Sequence, residues 1–286
     1  MLSRVTRLRR RQALALGGLA VLGTAAGCAE EPTDARDEEA GMERIDYGDD
    51  DAQYAELYRP DGGSRGVVVV IHGGFWKAEY AAELGQPLAE SLAAEGWTAW
   101  NLEYRRVGNG GGFPTTLDDV AAGIDALAGV AGLDTSTVIT LGHSAGGHLA
   151  AWAAARGRFE PWADQVPVTA VVSQAGVLDL DTAYDQQLGG GAVEGFMGAP
   201  PGSDTEPDYR LADPTRHLPL GVPVRCVHGT DDDVVPASQS VEYVDRATAA
   251  GADAEVLLVD GDHYVIIDPD SPAWAGTLDV LSSLPR

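Results

Sequence analysis

The stretch Thr137-Val-Ile-Thr-Leu-Gly-His-Ser144-Ala-Gly-Gly147 decides how the rest of the chain is read. Thr137 to Leu141 is a β-branched, apolar run that reads as a buried strand, and Ala145 to Ala155 reads as a helix of small residues. Between them lies Gly142-His-Ser144-Ala-Gly146. A strand that turns sharply into a helix leaves no room for side chains two residues either side of the turn, and both positions are glycine. Ser144 is thereby lifted to the start of the helix, where free N–H groups and the helix dipole favour developing negative charge. A bare G-x-S-x-G is common by chance. One set between strand and helix is the context of a nucleophile elbow, against which an incidental serine is the alternative.

Working outward, the same alternation continues. Gly66 to Ile71 is a continuous apolar run, as expected of a strand buried on both faces. Ala81–Glu95 reads as a helix, Trp97–Leu102 as a strand, Leu117–Val130 as a helix and Val168–Val172 as a strand. Two late strands, Val222–Val227 and Ala254–Val259, alternate with helices Ser238–Ala250 and Pro272–Leu284. Strands separated by helical patterns imply one α/β domain with a mostly parallel sheet and helices on both faces. Such sheets bind ligands at the carboxyl ends of their strands. Two segments break the pattern: glycine-rich 108–114, and 179–217, a long excursion placed to shape access to a strand-end cleft.

Charge and termini set the surroundings. The 286 residues carry a formal charge of −25, and Lys77 is the only lysine. Residues 1–27 hold five of the 19 basic side chains and none of the 44 acidic ones, so their removal leaves −30. Such a surface repels nucleic acid and anionic lipid. Arg4 to Arg11 followed by the apolar run Ala13–Ala26 reads as a signal peptide, and Arg9-Arg10-Arg11 resembles a twin-arginine export signal. Ala25-Ala-Gly-Cys28 resembles a lipoprotein cleavage site. The expectation is an exported, cell-surface protein acylated at Cys28, with 28–42 a flexible acidic tether and 43–286 the folded domain. An ordinary cleaved signal is the alternative. The other cysteine, Cys226, lies in an apolar run and reads as a small core residue.

A serine hydroxyl needs a base, and the base needs an orienting acid. Of six histidines, His72 and His228 precede glycine at strand ends, and His143 adjoins Ser144. His148 falls one turn into the helix and His217 lies in the excursion. His263 follows the last strong strand on a polar loop, after Ser144 and after an acidic segment, so it is the base by elimination and order. The acid lies in His228-Gly-Thr-Asp-Asp-Asp-Val-Val-Pro236, where residue type alone leaves Asp231, Asp232 and Asp233 open. His72-Gly-Gly-Phe-Trp76 follows another strand end, where glycine lets the backbone offer free N–H groups; the Ala145 N–H lies beside them after the serine. A plain glycine turn is the alternative there.

From about residue 45 the chain resembles the α/β-hydrolase superfamily. Residues 228–236 resemble its H-G-x-x-D-x-x-V-P pattern, which implies Asp232 as the acid and leaves Asp231 and Asp233 to turns or caps. His72-Gly-Gly-Phe-Trp76 and Gly142 to Gly147 are similar to the H-G-G-x-W and G-H-S-A-G-G segments of kynurenine formamidases and related esterases. That resemblance implies Gly74 and Phe75 as oxyanion donors, and hydrolysis of a small ester or formamide. Residues 228–236 are equally similar to prolyl-oligopeptidase-type domains, although no propeller precedes this one. The expected activity is therefore hydrolysis of small carboxylic esters without metal or organic cofactor, with an aryl formamidase, a peptidase and a non-catalytic ligand-binding lipoprotein as alternatives.

Overall fold

A computed structural model describes residues 41–163 and 165–285. The signal segment, Cys28 and nearly all of the tether lie outside the described residues; β1 begins at Met42, the tether's last position.

The chain order is β1 (Met42–Asp46), β2 (Tyr54–Tyr58), β3 (Val67–Ile71), α1 (Gln86–Ala94), β4 (Thr98–Leu102), α2 (Thr115–Asp125), β5 (Val138–His143) and α3 (Ala145–Ala153). It continues with β6 (Ala170–Gln174), α4 (Leu180–Asp185), α5 (Ala192–Met197), α6 (Glu206–Ala212), β7 (Val224–Gly229), α7 (Ser238–Ala249), β8 (Ala254–Val259) and α8 (Pro272–Ser283). The eight strands form one sheet in the order β1-β2-β4-β3-β5-β6-β7-β8. β3 to β8 run parallel, and β2 pairs antiparallel with both β1 and β4. This is the α/β-hydrolase fold.

The apolar strands explain the layering. Along β3, Val67, Val69 and Ile71 face one core layer, with α2 and α3 packed on it; Val68 and Val70 face the other, under α1 and α8. Because successive side chains point to opposite faces, a strand covered on both sides reads as a near-continuous apolar run, as β3 does. The region expected as one helix from Ala81 is a 3-10 turn, Ala82–Leu84, followed by α1. The break falls at Gly85, where a Cβ would lie 2.1 Å from Asn101 Oδ1. The excursion 179–217 folds into α4, α5 and α6 between β6 and β7.

The strand order fixes where a site can form. β4 lies on one side of β3 and β5 on the other, so the chain reverses direction across the sheet there. The carboxyl ends of β3 and β5 flank that switch point, which opens a crevice. The loop His72–Trp76 leaves β3 and Ser144 leaves β5 at this place.

Candidate active site

Ser144 is 3% exposed and sits at φ 56°, ψ −119°, a strained backbone for a residue with a Cβ. Its surroundings impose that conformation. A Cβ on Gly142 would stand 2.0 Å from Gly146 O, and one on Gly146 2.0 Å from Ile71 O. The Ser144 N–H donates to Gln174 O at 2.8 Å, which ties the turn to β6. α3 then starts at Ala145, whose N–H has no carbonyl within the helix to meet.

Asp232 and His263 come from the ends of β7 and β8. Asp232 Oδ1 accepts the N–H groups of Val234 at 2.9 Å and Val235 at 2.8 Å. Its Oδ2 accepts from His263 Nδ1 at 2.7 Å and stands 3.2 Å from His228 Nε2. Burial pushes the Asp232 carboxyl up, but the contacts with His228, His263 and the Val235 N–H together hold it well below the usual carboxylate range. The carboxylate oxygen facing Nδ1 accepts, so the His263 proton sits on Nδ1 and Nε2 is left free to accept. Asp231 and Asp233 make no such contact; the Asp231 N–H donates to Gly261 O at 2.9 Å in the turn.

No hydrogen bond joins Ser144 Oγ to His263 among the described residues. The two are neighbours through His143, whose Nε2–H donates to His263 O at 2.9 Å and whose ring centroid lies 4.5 Å from that of His263. Burial, then the proximity of His263, lowers the His143 pKa to about 3, so this ring is neutral. Catalytic hydrogen bonds in empty sites are often long and tighten with substrate.

The loop after β3 completes the site. Gly73 packs so closely on the elbow that a Cβ there would meet Ser144 Cβ at 3.1 Å. Gly74 has φ +108°, with Tyr80 Cβ 2.3 Å from where its own Cβ would be. Phe75 and Trp76 follow at φ 57° and 54°, a left-handed pair that costs roughly 1–2 kcal/mol for each such residue. Among the described residues, the N–H groups of Gly74 and Phe75 donate to no protein acceptor. The loop is roofed by the excursion: Phe196 of α5 stacks on Trp76 with centroids 4.9 Å apart, and a Cβ on Gly189 would meet the Phe75 ring at 2.3 Å.

The other sequence candidates resolve into support. His148 is buried with Nε2–H donating to Ala212 O at 2.9 Å, and His217 bonds Leu211 O within the excursion. His228 Nδ1 meets Ser240 Oγ at 2.7 Å and Cys226 is fully buried. What residue type did not reveal is the buried group Glu103, Tyr104 and Arg106 at the exit of β4, packed under His72. The one signal available was a charged run placed directly after a buried strand. Among the described residues no three His, Cys, Asp or Glu side chains gather as a metal site, and no helix is long and apolar enough to cross a membrane.

Fold and geometry thus define an α/β hydrolase with a serine on a sharp turn between strand and helix. Residues 56–246 match the BD-FAE family model, and the chain belongs to that family. It is 27% identical over 257 residues to an isoprenylcysteine alpha-carbonyl methylesterase of Arabidopsis thaliana, covering 81% of this chain and 58% of that protein. It is 30% identical over 250 residues to a monoacylglycerol lipase of Mycolicibacterium smegmatis, covering 75% of this chain and 87% of the lipase. The chain spans 55–60% of the length of three curated relatives it matches, the Arabidopsis protein among them. In three dimensions it superposes on a thermophilic esterase of Thermogutta terrifontis with a TM-score of 0.68 at 23% identity, covering 85% of this chain and 93% of that one.

Proposed function

We propose that this protein hydrolyses small carboxylic esters through an acyl-enzyme on Ser144. The observation that carries the proposal is the convergence at one edge of the sheet: a serine on a strained elbow, a histidine beside it, and an ionised aspartate holding that histidine by Nδ1. Relatives named as a methylesterase and a lipase add support for ester substrates over amides.

In this reading His263 Nε2 takes the Ser144 proton as Oγ attacks the ester carbonyl. Asp232 keeps its charge and stabilises the imidazolium that forms. The N–H groups of Gly74, Phe75 and Ala145 hold the tetrahedral oxyanion, one such donor being worth about a hundredfold to a thousandfold in rate. Collapse expels the alcohol, which takes the proton from His263, and water then repeats the sequence on the acyl group. The family likeness of His72-Gly-Gly-Phe-Trp76 keeps formamide hydrolysis as the competing activity. Export and acylation at Cys28, which would hold the enzyme at the cell surface, belong to the same proposal and are supported by the lipoprotein-like Ala25-Ala-Gly-Cys28.

The test is kcat/KM of the purified protein on p-nitrophenyl acetate, butyrate and octanoate beside N-formylkynurenine, with Ser144→Ala as control. Ester turnover that vanishes in the variant is expected. Faster turnover of the formamide would move the activity to that class, and turnover that survives Ser144→Ala would overturn the mechanism.

A further inference from the structure

The exit of β4 is built against both ends of the loop after β3. Val107 N–H donates to Trp76 O and Ala78 N–H to Val107 O, both at 2.9 Å. Nearer the strand end, Tyr104 stacks on His72 with centroids 4.4 Å apart, and its hydroxyl donates to His72 O at 2.7 Å. Strained left-handed residues such as Phe75 and Trp76 persist only where the surroundings over-determine them, and these contacts do so.

His72 is the joint of this arrangement. Its Nδ1 lies 2.8 Å from Gly73 O, and its Nε2 lies 3.0 Å from Arg106 Nη1. A guanidinium only donates, so Nε2 accepts and the ring carries its proton on Nδ1, given to Gly73 O. Arg106 is in turn held by a short ion pair to Glu103 Oε1. Glu103 Oε1 stands 3.6 Å from His72 Nε2, beyond a hydrogen bond. The glutamate is anchored by the N–H groups of Tyr104 at 2.9 Å and Ala82 at 2.6 Å. All three charged or titratable side chains are buried.

The consequence follows from the planarity of the peptide. In a trans unit the carbonyl and the N–H point to opposite edges. The His72 ring grips the carbonyl edge of the Gly73–Gly74 peptide, which leaves the Gly74 N–H on the other edge, in a loop that touches Ser144. Were the His72 proton on Nε2 instead, Nδ1 would repel Gly73 O and this peptide would lose its anchor.

We propose that Arg106, held by Glu103, is a positioning residue: by fixing the tautomer of His72 it fixes the direction of the Gly74 N–H. The proposal rests on the esterase reading above for its kinetic consequence, though not for its geometry. A chain of Glu103, Arg106 and His72 would then prepare the oxyanion side as Asp232 and His263 prepare the nucleophile side.

The experiment combines kinetics with 15N NMR of the imidazoles in the full chain. In wild type the His72 ring should show the Nδ1-protonated tautomer; an Nε2-protonated ring there overturns the proposal without any variant. Arg106→Met should lower kcat on p-nitrophenyl acetate by about tenfold to a hundredfold, below the loss of a whole donor, with KM within about twofold. Arg106→Lys, which can still donate to Nε2, should recover part of that loss. Because Arg106→Met strands a buried carboxylate, the double variant Glu103→Gln/Arg106→Met, which leaves no unpaired charge, decides the matter if the single one does not fold. A folded double variant with kcat within twofold of wild type refutes the positioning role. Turnover that survives Ser144→Ala counts against the esterase reading instead, so the two failures are separable.

Discussion

Asp232→Asn changes one atom pair and has a direction that the surroundings dictate. The Val234 and Val235 N–H groups both point at Oδ1, so the amide oxygen of an asparagine must stay there and its NH2 must take the place of Oδ2. That NH2 then faces His263 Nδ1, which accepted no proton before but must accept now. His263 turns to its other tautomer, its proton moves to Nε2, and the base that should receive the Ser144 proton is blocked. The loss of tautomer and of charge together should lower kcat about a thousandfold to ten-thousandfold, or roughly 4–5.5 kcal/mol of transition-state stabilisation. KM should change little, since the substrate does not touch Asp232 in this mechanism. Steady-state kinetics on p-nitrophenyl acetate, with thermal melting to confirm the fold, measure it. Asp231→Asn and Asp233→Asn should stay within about twofold of wild type. A folded Asp232→Asn within tenfold of wild type, or a larger loss in either neighbour, would refute the assignment of the acid.

Further outcomes follow from other residues. Gly74→Ala forces an L side chain to φ +108° against Tyr80, so kcat should fall at least tenfold while the protein still melts cooperatively. Gly146→Ala drives a Cβ to 2.0 Å from Ile71 O in rigid backbone, and the expected result is insoluble or unfolded protein, seen in expression and circular dichroism. His143 and His148 are buried and neutral, with pKa values lowered to about 3 and about 4. Between those values and about 6.5 the unfolded chain binds protons that the folded one does not, so stability falls as pH falls, by about 1.4 kcal/mol per pH unit for each ring. Urea unfolding at pH 7, 6 and 5 checks this, and His148→Gln should flatten the slope by one ring's share.

Much of this was legible in the residues, and the exceptions have physical causes. The strands β3, β5 and β6 are buried throughout and begin as apolar, β-branched runs because both faces are covered, and that signal is strong at short length. The elbow is legible because two glycines are forced by backbone contacts rather than chosen for flexibility. β1 leaves no apolar run to read because Met42-Glu-Arg-Ile-Asp46 is an edge strand with no fully buried residue. β2 carries the buried Glu56, satisfied by Gln86 and Asn101, partners that no local pattern shows. α4 and α5 are six residues each, too short for a helical period to declare itself, and the packing of Tyr104 and Arg106 on His72 is a tertiary fact. Among three adjacent aspartates residue type alone makes no choice; the likeness of residues 228–236 to a hydrolase pattern points to Asp232, and the geometry puts His263 on that one.

The central claim is that Ser144 is the nucleophile, and intact mass spectrometry after exposure to a fluorophosphonate tests it most directly. One adduct per chain, located on Ser144 by peptide mapping and absent from Ser144→Ala and slowed in Asp232→Asn, is the predicted result. An unlabelled protein, or an adduct on any other residue, would contradict it.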